Sequence, residues 1–100
     1  MGDILDVSGH KMATIDDDGA VRNLAGVNLG KVSFNGDVFN NKTQKVGYFQ
    51  ENGYVYDEEG RHIGTVKNDG YVYDYETQKV GKATGNNTKM AGAALLLLVR

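Results

Sequence analysis

The chain repeats itself every 17 residues. Residues 12–28, 29–45, 46–62 and 63–79 align without a gap as four consecutive units, and the same pattern continues into both ends of the chain. Each unit must therefore form the same supersecondary structure and bury its apolar residues against its neighbours. The repeated columns are apolar at positions 1, 4 and 10, small at position 2, and glycine at position 8. Position 1 is Met12, Leu29, Val46, Ile63 and Val80; position 2 is Ala13, Gly30, Gly47, Gly64 and Gly81; position 4 is Ile15, Val32, Phe49, Val66 and Ala83; position 8 is Gly2, Gly19, Gly36, Gly53 and Gly70; position 10 is Ile4, Val21, Val38, Val55 and Val72.

Each unit is predicted to be a β-hairpin. Asn35-Gly36, Asn52-Gly53 and Asp69-Gly70 lie between runs of β-branched and aromatic residues, which is typical of a tight hairpin turn. A three-residue turn with a left-handed glycine pairs position 4 with position 10, so the aliphatic columns share one face. A two-residue turn would place a polar residue opposite position 10, and we therefore expect the three-residue turn. A second short turn joins each hairpin to the next.

The two ends of the chain complete one another. Residues 2–11 fit positions 8–17 of a unit, and residues 80–83 fit positions 1–4. If the first strand pairs with the last, the chain forms five hairpins in a closed ring with no free sheet edge. The fold class predicted is all-β, a closed meander of five two-stranded hairpins over residues 2–83, with a linker and a short apolar helix in residues 84–100. An open meander or solenoid capped by another copy is the alternative.

The repeats resemble a known kind of domain. The segment GYVYDEEGRHIGTV, with its glycine turns and Tyr-Asp pairs, resembles the small bacterial domains called the four-fold β-flower, and YDEEGRHI (56–63) is also similar to the tyrosine-aspartate repeats of bacterial Rhs shells. Only Tyr56 and Tyr73 begin a Tyr-Asp pair, because the earlier units have Arg22 and Phe39 there. The resemblance covers about residues 2–83. It implies a hairpin domain with no assigned reaction and no known catalytic residues.

The C-terminal segment has a different composition. Asn87 or Thr88 is a suitable N-cap for a helix that begins near Lys89 and continues through Val99. This helix is too short to span a bilayer, and consecutive leucines require burial almost all round its axis. Its own ring, a bundle of tails from several copies and a membrane surface could each cover it. Because a ring of five hairpins offers little volume, we expect homo-oligomerisation, with an interface of Met90, Ala93, Ala94, Leu95, Leu96, Leu97, Leu98 and Val99.

The sequence contains no motif for catalysis. It has no cysteine, 2 histidines and 2 serines outside any nucleophile pattern, so we predict no enzymatic activity, no metal and no cofactor. The run Asp16 to Asp18 lacks the ligand spacing of a calcium loop and is predicted to be a turn. Against 11 basic residues there are 13 acidic ones, which argues against nucleic acid as a partner. Met1 leads directly into repeat residues, and a cytoplasmic location is the default expectation.

The tyrosines give one indication of function. All six lie between Tyr48 and Tyr75, and in the predicted register those at positions 3, 9 and 11 share the face opposite the aliphatic columns. Such a surface could bind a sugar ring or a protein partner. Cross-strand packing of neighbouring tyrosines is the simpler interpretation. The residues of this possible ligand face are Tyr48, Tyr54, Tyr56, Tyr71 and Tyr73. The main functional hypothesis is a non-catalytic structural or protein-interaction module that self-associates, and the alternative is a carbohydrate- or ligand-binding module.

Overall fold

The computed structural model describes residues 2–100, which form a ring of ten antiparallel strands around one short helix. The strands are four or five residues long. They are β1 (Gly2–Asp6), β2 (Lys11–Ile15), β3 (Ala20–Asn23), β4 (Asn28–Val32), β5 (Asp37–Asn40), β6 (Lys45–Phe49), β7 (Tyr54–Asp57), β8 (His62–Val66), β9 (Tyr71–Asp74) and β10 (Lys79–Ala83). The molecule is a disc, since its principal extents are 30 × 29 × 21 Å.

The ring is closed by its two ends. Strand β1 pairs with β10, with Ile4 opposite Ala83, and every other strand pairs with its neighbours in the chain. Residues 2–100 therefore contain five hairpins in a closed ring, as predicted, and the open meander is excluded. Closure leaves no unpaired sheet edge in this part of the chain, which removes the usual route to edge-to-edge aggregation.

The predicted register is confirmed. Position 4 lies opposite position 10 in each full repeat, for example Val32 opposite Val38 and Val66 opposite Val72. The cause is the three-residue turn: the Gly19 N–H donates to the carbonyl of Asp16 (2.9 Å), and Asp16 N–H donates to the carbonyl of Ala20 (2.8 Å). Gly19 has φ +92°, the left-handed conformation that favours glycine.

The second set of turns uses a side-chain acceptor. Asp57 Oδ1 accepts the backbone N–H groups of Glu59 and Arg61, both at 2.9 Å. An aspartate or asparagine accepts the equivalent two N–H groups in all five of these turns, because a short oxygen-bearing side chain can stand in for a backbone carbonyl. These residues are Asp6, Asn23, Asn40, Asp57 and Asp74.

The C-terminal helix lies inside the ring. Helix α1 (Thr88–Ala94) begins at the predicted cap, where Asn87 Oδ1 accepts the Met90 N–H at 3.1 Å, and it continues as one π-helical turn over Leu95–Val99. At about 1.5 Å of rise per residue, these helical residues cross most of the 21 Å thickness of the disc. Their apolar side chains and the columns at positions 4 and 10 form one core.

Consecutive leucines face consecutive hairpins. A Cβ atom added to Gly81, at repeat position 2, would lie 2.7 Å from the Leu95 side chain. Each following leucine lies similarly close to the position-2 glycine of the preceding repeat. The pairs are Leu95 with Gly81, Leu96 with Gly64, Leu97 with Gly47 and Leu98 with Gly30. Neighbouring hairpins of a fivefold ring are about 72° apart, whereas an α-helix rotates about 100° per residue. The wider i→i+5 turn rotates less per residue, so consecutive leucines point closer to consecutive hairpins. The Arg100 N–H donates across this turn to the Leu95 carbonyl at 3.1 Å.

This placement corrects the argument for a tail-mediated interface. The ring does receive the helix, because the glycine column leaves room for the leucine side chains. Met90, Ala93, Ala94 and Leu95 are at most 2% exposed within the chain's own core, so they are not available to another copy. Leu96, Leu97, Leu98 and Val99 pack against the core but remain partly exposed.

Candidate functional site

The two openings of the ring differ. The helix enters at the opening formed by the glycine turns, where Lys89 Nζ donates to the Glu51 carbonyl, and we call this the entry mouth. The helix ends at the opposite opening, which we call the exit mouth. Five turns that join one hairpin to the next form this opening, and we call them tips. They are Asp6–His10 (tip 1), Asn23–Val27 (tip 2), Asn40–Gln44 (tip 3), Asp57–Arg61 (tip 4) and Asp74–Gln78 (tip 5).

The exit mouth carries exposed apolar side chains. Val7 is 62% exposed, Leu24 64%, Val27 54% and Tyr75 67%. Tyr75, Val7 and Leu24 come from tips 5, 1 and 2, which are neighbours around the ring. Residues 96–99, at the end of the helix, are partly exposed at the same opening. These side chains form a candidate interaction surface, which we call the exit-mouth surface.

The predicted tyrosine face lies on the outside of strands β6 to β9. Tyr54 and Tyr56 flank the buried Val55, and Tyr71 and Tyr73 flank the buried Val72, so these tyrosines point away from the core. Tyr48 lies directly opposite Tyr56. The structure therefore brings together Tyr48, Tyr54, Tyr56, Tyr71 and Tyr73 on one side of the disc.

The aromatic rings of this face pack against their neighbours. The Tyr48 and Tyr56 rings are stacked, with centroids 5.1 Å apart and planes inclined by 17°. The imidazole of His62 lies 4.8 Å from the Tyr54 ring and 5.7 Å from the Tyr56 ring. The register places His62 here, because it sets this residue opposite Tyr56.

Lysines cover other rings of the face. Lys79 Nζ lies 3.8 Å and Lys82 Nζ 4.8 Å from the Tyr71 ring centroid, and Lys67 Nζ is 5.8 Å from that of Tyr73. Each such contact contributes about 0.5–1 kcal/mol at an exposed site. The ring faces are thus engaged within the protein, as the cross-strand packing interpretation expects, although Tyr54 remains 42% exposed.

The acidic run serves the turn it lies in. Asp18 Oδ1 accepts the Ala20 N–H at 3.1 Å, and the Asp16 carboxylate pairs with Arg22. His10 lies 3.5 Å from the Asp6 carboxylate on tip 1. Among residues 2–100, no group of three or more histidine, cysteine, aspartate or glutamate side chains converges in a way that could hold a metal ion.

Two aspartates at the exit mouth, Asp6 and Asp57, have pKa values below the ordinary value of an aspartate. The backbone N–H of Arg61 is the largest cause that lowers the pKa of Asp57, with the Arg61 guanidinium adding to it at 2.9 Å. The backbone N–H of His10 likewise lowers the pKa of Asp6. Both carboxylates are acceptors in their turns, so these shifts reflect turn geometry rather than a reactive site.

Two cavities open on the surface. One, of about 280 Å³, lies at the entry mouth and is lined by residues that include Ile15, Phe34 and Met90. The other, of about 440 Å³, lies on the outside of β3 to β5 next to tip 3, and we call it the Phe39 groove. Neither cavity could be predicted from the sequence, because each is formed by residues from separate repeats.

The comparisons with known proteins agree with this architecture. Within residues 2–100, no helix has the length and apolar character that crossing a membrane requires. A family model described as a 5-fold beta-flower protein matches residues 1–98, which supports the β-flower resemblance and corrects its symmetry from four-fold to five-fold. Neither the curated proteins nor the solved structures give a significant match.

Proposed function

Because the chain belongs to the 5-fold beta-flower family, which is compatible with a non-enzymatic structural module, we propose that it is a non-catalytic interaction module. In this proposal the chain associates with a second copy through the exit-mouth surface. Only residues 96–99 of the tail take part, because the rest of the helix belongs to the core.

The observation that carries the proposal is the exposed apolar surface at the exit mouth. Leu24 and Tyr75 are 64% and 67% exposed although each is large and apolar over most of its surface. Side chains of this kind gathered at one site are typical of protein interfaces. The partly exposed helix end lies at the same opening and would be covered by a partner.

The order of the tips favours a second copy as the partner. Apolar residues occupy tips 5, 1 and 2. Tip 3 carries Lys42, and tip 4 carries Glu58, Glu59 and also Arg61, whose guanidinium pairs with Glu59 at 3.5 Å, so tip 4 keeps an acidic excess. A twofold axis that lies in the plane of the mouth and passes through tip 1 brings tip 1 onto tip 1, tip 2 onto tip 5 and tip 3 onto tip 4. Apolar tips then meet apolar tips, and the lysine faces the two glutamates. One surface is thus complementary to itself.

The area is also suitable. A disc of 30 × 29 Å presents a face of roughly 700 Å², close to the ~800 Å² that each partner buries in an interface of standard size. Complete contact between two such faces would cover the helix end and all five tips.

The first test measures molar mass by light scattering during size exclusion, at several protein concentrations. We expect a dimer for the unchanged chain and a monomer for the double variant Leu24→Glu, Tyr75→Glu. Phe34→Glu is the matched control, because Phe34 is 72% exposed but follows β4 at the entry mouth. A monomeric unchanged chain, or a dimer that Phe34→Glu disrupts equally, contradicts the proposal.

A charge exchange tests the orientation. Lys42→Glu should weaken the dimer because two acidic tips then face each other, and adding Glu58→Lys and Glu59→Lys should restore it. If the triple variant associates no better than Lys42→Glu alone, tip 3 does not face tip 4 and the twofold arrangement is wrong.

A further inference from the structure

The Phe39 groove owes its existence to one small residue. At position 9 the other repeats carry Asp37, Tyr54 and Tyr71, and the first full repeat carries Ala20. Ala20 lies opposite Lys31, which in turn lies opposite Phe39. The space that a tyrosine would fill at Ala20 remains open as a cavity of about 440 Å³.

Phe39 offers the groove an uncovered aromatic ring. Its counterparts at position 11, Tyr56 and Tyr73, are engaged by a stacked tyrosine and by a lysine. Within residues 2–100, no aromatic ring or cation lies over Phe39. The side chain is half-buried and lines the cavity, so an apolar ligand face can lie against it.

Polar groups stand around this ring. Asn41, Thr43 and Asn28 line the groove, and Asn41 Nδ2 donates to the Asn28 carbonyl at 3.5 Å, which leaves the Asn41 side-chain oxygen as an acceptor for a ligand. Lys31 supplies an ammonium group, and no ion pair holds it within residues 2–100. No acidic residue lines the groove, although the whole chain has a net charge of -2.

We infer that the Phe39 groove binds a carboxylated sugar ring, such as a hexuronate. The C–H face of the sugar would lie on Phe39, and its carboxylate would pair with Lys31. Its hydroxyl groups would donate to Asn41 Oδ1 and to Thr43 Oγ1, which itself donates to the Lys42 carbonyl. The cavity volume lies at the lower end of the range of small-molecule sites. Charge complementarity favours the acidic sugar over a neutral one.

This inference does not rest on the proposed dimer, but Asn41 and Thr43 belong to tip 3, which that dimer would cover. The titration that tests it is therefore run on the full chain carrying Leu24→Glu and Tyr75→Glu, which is expected to be a monomer.

The test follows amide signals by NMR during titration with methyl β-glucuronide, and methyl β-glucoside is the matched neutral probe because the two differ only at the carboxylate. Sodium acetate controls for charge alone. We expect saturable shifts at Lys31, Phe39 and Asn41 with the glucuronide, affinity roughly tenfold lower for the glucoside, and no saturation with acetate.

Variants locate the site. Ala20→Tyr introduces the residue that two other repeats carry at this position, so the fold should persist while the groove is filled and the glucuronide shifts disappear. Phe39→Leu keeps an apolar side chain but removes the ring, and affinity should fall. Lys31→Thr should reduce glucuronide affinity roughly tenfold, whereas Lys82→Thr, at the same repeat position in another hairpin, should leave it unchanged.

Four results would overturn the inference. The glucuronide could give no saturable shifts, it could bind no better than the glucoside, or its binding could survive Ala20→Tyr unchanged. Acetate shifting the same amides to saturation would also overturn it, because the sugar ring would then contribute nothing. Binding is measured on a chain whose exit-mouth surface is disrupted and association is measured by molar mass without ligand, so the two proposals fail separately.

Discussion

The inside and the outside of the ring use the same repeat in different ways. Inside, position 10 is valine in four hairpins and isoleucine in the fifth, and each of these side chains is fully buried. Outside, position 9 is alanine, aspartate or tyrosine depending on the hairpin. The helix presents nearly the same surroundings to all five hairpins, so the interior must repeat, whereas solvent imposes no such requirement. The features that could distinguish this chain from another ring of its kind therefore lie outside.

The largest expected effect comes from the helix that the interior surrounds. Leu95 is fully buried, and Leu95→Ala should lower the free energy of unfolding by about 2–5 kcal/mol because it leaves a cavity in the core. Leu24→Ala is the control, since Leu24 is 64% exposed and the change should stay within about 0.5 kcal/mol. Urea denaturation measures both. Equal effects would mean that the helix is not the centre of the core.

The next effect concerns the close approach between hairpin and helix. A Cβ at Gly64 would lie 2.6 Å from Leu96 and 2.5 Å from the Tyr73 carbonyl oxygen, so Gly64→Ala should destabilise the fold by about 1–3 kcal/mol through overpacking.

Gly26→Ala provides the comparison for that variant. Nothing lies within 4 Å of a Cβ at Gly26, but its φ is +83°, and the substitution should cost about 1 kcal/mol through backbone strain alone. Thermal unfolding followed by circular dichroism should give a lower melting temperature for Gly64→Ala than for Gly26→Ala. The reverse order would contradict the packing of leucines against the glycine column.

Much of the interior could be predicted from the sequence. The 17-residue period predicts the hairpins, and the aspartate or asparagine before the turn glycine predicts the turn. The length of that turn then determines that Val32 lies opposite Val38. Closure followed from the two half-units at the ends. Each of these inferences depends on residues that are neighbours in one repeat or share one column.

The position of the helix could not be predicted in the same way. The room inside a ring depends on strand tilt and on how closely the side chains of separate repeats approach. The glycine column was visible in the sequence, but its match with Leu95 to Leu98 depends on the wider, π-helical turn of Leu95–Val99. The Phe39 groove could not be predicted for a related reason, because it forms where Ala20 of one hairpin meets Lys31 and Phe39 of the next.

A smaller effect is expected on the outer face. The Tyr48 and Tyr56 rings are stacked across neighbouring strands. A double-mutant cycle with Tyr48→Ala and Tyr56→Ala should give a coupling free energy of about 0.5–1.5 kcal/mol in protein stability. A coupling near zero would mean that these tyrosines do not stabilise the sheet, and it would revive the interpretation of the tyrosine face as a ligand surface.

The smallest effect is a dependence on pH at tip 4. The pKa of Asp57 is lowered below its ordinary value of 3.8, so the ionised carboxylate favours the folded state. That contribution is complete above about pH 5 and is lost as the pH falls through the lowered pKa of the folded state.

Asp57→Asn isolates this contribution. Asparagine serves the same turn at Asn23 and Asn40, so the variant should fold and should lose stability less steeply than the unchanged chain below about pH 4. Parallel urea denaturation curves at several pH values measure the difference. Identical pH profiles would show that Asp57 contributes no titrating stabilisation.

The central claim is that the C-terminal helix forms the core of its own ring. The most direct measurement compares urea unfolding and molar mass for the full chain and for a chain that ends at Gly85. Burial of Met90 and Leu95 together with the other helical residues contributes a large share of the roughly 5–15 kcal/mol that stabilises a small domain. We therefore predict that the shortened chain loses its cooperative transition. A shortened chain that remains folded, with the same midpoint of unfolding as the full chain, would contradict the account.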